Sequence, residues 1–102
     1  MRDFKIGPGV MVCEGDQVTV HYTSKSLHNR LVEDSEVNFP HGISFFAGSS
    51  VVPPVLSQGV IGMKVGGKRE IIAPPQMHFP NDLKGQILIY EINLVNHKRA
   101  DA

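Results

Sequence analysis

"GVIGMKVGGKREIIAPP", residues 59–75, carries four of the ten glycines in a chain of 102 residues and closes on two consecutive prolines. Glycine reaches backbone conformations that side chains forbid, and proline fixes φ and removes an N–H. Their density punctuates the segment, and KREIIA (68–73) within it is a short strand candidate. Just upstream, PPVLSQGVIGM (53–63) is the one candidate helix. Proline is tolerated in a first helical turn, and Val55, Leu56 and Val60 fall near one face. Gly59 and Gly62 confine this helix to about two turns, too few to be stable alone, so its apolar face must lie on a sheet.

The strands of that sheet are read from alternation. In DQVTVHYTS (16–24), Val18, Val20 and Tyr22 alternate with Thr19, His21 and Thr23, the period of two expected when one face is buried and the other wet. GQILIYEINLV (85–95) puts Leu88, Tyr90, Ile92 and Leu94 on one face. On its other face Ile87 and Ile89 give way to Glu91 and Asn93, as in a central strand whose second face becomes exposed. RLVEDS (30–35) and ISFFAG (43–48) are shorter candidates, and VMVCEGD (10–16) reads as a strand ending in a turn. The expected class is α+β: five or six antiparallel strands curved around one short helix, as a single domain over residues 1–102.

Composition excludes several functions. Ten basic residues balance ten acidic ones and are scattered, so no stripe tracks nucleic-acid phosphates. Cys13 is the single cysteine; it can form no internal disulfide or thiolate metal site and reads as a small, partly buried side chain. His21, His28, His41, His78 and His97 have neither i, i+4 helical spacing nor a ligand cluster, so neither metal nor cofactor is expected. No apolar run approaches the ~20 residues that cross a bilayer, and Met1 to Lys5 is polar, so a soluble chain is expected, cytoplasmic or organellar.

GDQVTVHYT, then EDS, then the 59–75 series, then a terminal apolar strand occur in the order and spacing of the FKBP-type peptidyl-prolyl isomerases, which this chain resembles from about Lys5 to Val95. The resemblance implies a half-barrel of five or six antiparallel strands wrapped around one short helix, with an apolar pocket that receives a proline side chain. It also implies faster cis/trans rotation of X-Pro bonds. That rotation faces a barrier of ~18 to 20 kcal/mol from lost amide resonance and needs no covalent chemistry. GMKVGGKRE followed by APP is closer to bacterial and plastid-type members than to cytosolic ones.

Carried over on VHYT and EDS, the family's pocket tyrosine and aspartate are Tyr22 and Asp34, the implied catalytic pair. Ile43, Val52, Pro53, Leu56, Phe79 and Tyr90 are the implied pocket. Read without the family, Tyr22 and Tyr90 are core aromatics and Asp34 a turn-forming acid. Five positions depart from the family pattern. Glu33 replaces a pocket phenylalanine, as a charge inside the wall or pointing away; Ile43 replaces another; and Leu56 stands for the usual aromatic floor. Pro53 lacks the N–H that donates to bound peptide or macrolide, and Phe79 lacks a tyrosine hydroxyl. The segment 79–90 is also shorter than the family's and lacks its glycine and Ile-Pro-Pro sequence. Phe39-Pro40 and Phe79-Pro80 are loop turns or contact patches. The expected partner is a protein or proline-containing peptide. The expected role is a domain with weak or lost isomerase activity serving in a larger assembly; the alternative is an active isomerase assisting protein folding.

Overall fold

In a computed structural model that describes residues 2–5, 10–28, 30–74, 77 and 87–100, six strands and two single-turn helices follow one another. They are β1 (Arg2–Lys5), β2 (Gln17–Ser26), β3 (Leu31–Asp34), α1 (Ser35–Asn38), β4 (Ile43–Phe46), α2 (Pro54–Ser57), β5 (Lys68–Ala73) and β6 (Leu88–Lys98). All pairings are antiparallel, in the order β1-β5-β6-β2-β3 with β4 also on β2. One edge of β2 is therefore shared: its first half pairs with β4, Gln17 opposite Phe46 through Val20 opposite Ile43, and Thr23 and Ser24 pair with Asp34 and Glu33 of β3. The expected antiparallel sheet forms, and beside the one short helix read from the sequence stands a second single turn, α1.

The alternation holds where the sheet is central. Val18, Val20 and Tyr22 of β2 face Leu88, Tyr90, Ile92 and Leu94 of β6, all buried, with Val55, Leu56 and Val60 in the same core. Each aliphatic side chain so enclosed contributes about 1.5 to 3 kcal/mol through apolar area removed from water. α2 is one turn rather than two. The Pro53 carbonyl accepts from the N–H groups of Leu56 and Ser57 at 2.9 and 3.1 Å, so the proline pair starts the helix where missing N–H groups cost nothing.

The glycines of the helix exit have separate duties. At Gly62 φ is +88°, a conformation that side chains rarely adopt. Gly59 instead lies so close to the Val55 carbonyl and the Ile71 side chain that a Cβ would overlap both. The turn is secured by Arg69, buried to 6 % exposure, whose Nη1 donates to the carbonyls of Gly59 at 2.9 Å and Ile61 at 2.8 Å. The lysine-arginine step that opens β5 thus delivers a guanidinium to the turn left by the glycines ten residues earlier.

Three expectations are corrected. Residues 10–16 form no strand; Val12 exchanges backbone hydrogen bonds with Met63 and Gly62 of the helix exit, and a turn at Gly15 (φ +91°) leads into β2. Cys13 is exposed, not partly buried. The strand read over 30–35 stops at Asp34 and Ser35 does not continue it: α1 follows β3 at once, because Asp34 Oδ1 accepts from the Glu36 N–H at 3.0 Å and caps it.

Asp16, at the mouth of β2, fixes both chain ends of the central pair. Its carboxylate accepts from the N–H groups of Cys13 and Ala100 and lies 2.7 Å from His97 Nε2. These bonds, first the Cys13 N–H and then His97, pull its pKa from 3.8 to about 2. An ionised carboxylate only accepts, so the proton between the pair sits on the imidazole.

Candidate functional site

Residues directly opposite in an antiparallel ladder share a face. Across β5, β6, β2 and β3 the register aligns Ile71, Tyr90, Ser24 and Glu33 in one row, and Arg69, Ile92 and Tyr22 in the next. Ile71, Tyr90, Ser24, Ile92, Tyr22 and Arg69 are all buried, so both rows belong to the inner face, and Glu33 is brought to that face at its open margin. Four of the expected pocket residues, Val52, Leu56, Tyr90 and Ile43, join Tyr22 in or against one apolar cluster. Tyr22 and Tyr90 stack with ring centroids 5.7 Å apart at 29°. Pro53 stands at the start of α2. Phe79 lies outside the described residues, as does most of the shortened 79–90 segment.

Electrostatics set the tyrosines apart from ordinary core aromatics. Burial raises the Tyr22 pKa well above the usual tyrosine range, and the Glu33 carboxylate, which reaches its hydroxyl, raises it further. Burial, then the same carboxylate, pushes Tyr90 up to about 12. Both hydroxyls therefore remain protonated donors at neutral pH. Ser24, wholly buried opposite Tyr90 in the ladder, lies near enough to favour the Tyr90 phenolate slightly, yet its Oγ makes no hydrogen bond of ordinary geometry.

Asp34 is placed differently from Tyr22. It pairs with Thr23, which alternates away from the buried face, and its Oδ1 is engaged by the cap of α1. The adjacent Ser35 is the residue that the sequence reading passed over. Its buried hydroxyl accepts the Tyr22 N–H at 2.8 Å and lies 3.1 Å from His21 Nδ1, fastening α1 to β2 at the tyrosine itself. The signal was present in Asp-Ser-Glu after a strand, a helix-capping pattern. Among the described residues no group of three or more His, Cys, Asp or Glu side chains is placed to hold a metal ion, and no helix is long and apolar enough to cross a membrane.

Residues 9–95, which carry these tyrosines and the short helix, match a family model described as FKBP-type peptidyl-prolyl cis-trans isomerase. The chain belongs to that family. The 46 kDa FK506-binding nuclear protein of Spodoptera frugiperda is 35% identical over 96% of this chain, and FK506-binding protein 2 of Yarrowia lipolytica is 37% identical over 80% of it. The chain spans 25% and 56% of the length of these two relatives. In fold it is similar to FkpA from Escherichia coli, with a TM-score of 0.78 at 22% identity over 96% of this chain and 47% of that one. In this FKBP domain Arg69 holds the glycine turn that follows α2, and Tyr22 and Tyr90 are buried aromatic side chains of the inner face.

Proposed function

We propose that this FKBP domain cradles proline-containing segments of protein partners between α2 and the inner face of the sheet, with attenuated isomerase activity, and acts as an interaction subunit. The observation that carries the reading is the stacked Tyr22–Tyr90 pair, with hydroxyls held protonated, set among Ile43, Val52 and Leu56. Such an enclosure lowers a rotation barrier by excluding water from the amide and by offering donors where charge shifts onto the carbonyl. Tyr22 is the donor assigned to the twisting amide, its single O–H turning from the Glu33 carboxylate to the bound carbonyl, and Asp34 supports it indirectly, by capping the helix whose Ser35 holds the Tyr22 backbone.

Attenuation rests on what is missing. Position 53 has no N–H, position 79 no hydroxyl, and Leu56 is smaller than an aromatic floor. The interaction role is supported by the β3–α1 edge beside the tyrosines, where Leu31, Val37 and Phe39 are 54 %, 77 % and 46 % exposed; an exposed apolar edge of this kind is suited to contact with a partner.

Titration of the 15N-labelled domain with a Phe-Pro tetrapeptide tests the cradle. The expected result is chemical-shift change concentrated at Tyr22, Ser24, Leu56 and Tyr90. Changes confined to the outer face of β2, at Thr19, His21 and Thr23, would reject it.

A further inference from the structure

Glu33 is an unusual residue for an inner-face margin. The register that sets it opposite Ser24, in line with Tyr90, brings a carboxylate to the side of the two stacked rings. Arg69, a charged side chain of that face, is committed to the carbonyls of Gly59 and Ile61. Lys25 alternates to the opposite face, and Lys68 pairs with Glu91 at 3.6 Å on the outer side. Asp34 and Glu36 follow Glu33 in the chain, Asp34 opposite Thr23 and joined to the Glu36 N–H in the cap of α1. A second and independent observation lies in the same row: Ser24 Oγ is wholly buried, faces inward and has no hydrogen-bond partner among the described residues. A buried hydroxyl left unsatisfied is costly, and its lone pairs offer a place for a donor from outside the chain.

Resting on the proline-cradle reading, we infer that Glu33 selects proline segments in which a lysine or arginine directly precedes the proline. The chemistry at this margin suits a cation: an exposed carboxylate beside an apolar cradle, with an unsatisfied hydroxyl in the same row, is a partner that ammonium and guanidinium groups use. The spacing suits it as well. Glu33 stands one strand, about 4.8 Å, from Ser24, while one residue of extended peptide advances about 3.3 to 3.6 Å. A side chain next to a proline seated on Tyr22 and Tyr90 therefore reaches the carboxylate. An acidic residue in the same place meets repulsion instead, so one substitution in a partner both attracts the right segment and rejects the wrong one.

The test is a set of three tetrapeptides that differ only before the proline, carrying Lys, Phe or Glu, titrated by fluorescence or NMR against the domain and against Glu33→Gln and Glu33→Phe. At low salt Lys-Pro should bind about fivefold or more tighter than Glu-Pro, a difference in the range of a half-exposed charge pair counted with its like-charge counterpart. The ratio should fall to within about twofold in Glu33→Gln and in high salt, since screening acts on exposed pairs. In Glu33→Phe the order should invert in favour of Phe-Pro. Equal affinities for the three peptides in the unsubstituted domain, or a Lys-Pro preference unchanged in Glu33→Gln, would overturn this inference and leave the cradle standing. Absence of binding by all three would overturn both.

Discussion

Arg69→Met lowers the unfolding free energy by about 3 kcal/mol, read as a shift of the urea midpoint at constant m-value. The substitution keeps a long apolar stem but removes the Nη1 donor shared by the Gly59 and Ile61 carbonyls at 2.9 and 2.8 Å. Each acceptor then loses a charge-assisted bond in a site that water does not enter freely, which costs about 1 to 3 kcal/mol per stranded group. Arg69→Lys should recover less than half of the loss, because a point-like ammonium cannot fork to two carbonyls. A loss below about 1 kcal/mol would mean that the turn is held by its glycines alone.

Gly59→Ala produces a loss of comparable size, about 3 kcal/mol, by a different route. The added methyl meets the carbonyl oxygen of Val55 and the δ-methyl of Ile71. Ile71 can change rotamer; the carbonyl cannot, since it belongs to the backbone of the single turn that closes α2. Overpacking of a well-filled core costs about 1 to 3 kcal/mol, and a backbone obstacle places this case at the upper end. The two substitutions act on one turn, through the Gly59 carbonyl and the Gly59 Cα. Their double mutant should therefore fall short of the sum of the singles, as contacting sites do. Thermal or urea unfolding of the four proteins measures this directly, and full additivity would show that the two residues act on separate features.

Much of the architecture was readable because the signals were local. KREIIA is a strand of six residues with the limits that its prolines and glycines suggested, and the inward set of β2 and β6 followed from a period of two. Where reading failed, the deciding contact was distant. Val10 and Val12 alternate like a strand, but the partner that Val12 meets is a turn fifty residues later, so no ladder extends. The Asp16–His97 pair spans 81 residues and left no trace in either neighbourhood. The direction of Glu33 was open for a physical reason. β3 has four residues and its register shifts after the Ser24 pair, so alternation within the strand is too brief to choose a face; only the pairing with Ser24 does so. Asp34 illustrates the converse, since a turn-forming acid and a site acid look alike in sequence until a cap partner is known.

The proposed function requires an inner face that holds a prolyl ring but grips the rotating amide weakly. The kcat/KM for isomerisation of a Phe-Pro tetrapeptide, followed without a coupling protease, tests this most directly. Two absent donors, each about 0.5 to 1.5 kcal/mol, together with a reduced floor, amount to about 3 to 4 kcal/mol of transition-state binding. The predicted rate is therefore about 100- to 1,000-fold below that of an FKBP domain that retains both donors and an aromatic floor. A rate equal to that domain's would contradict the account.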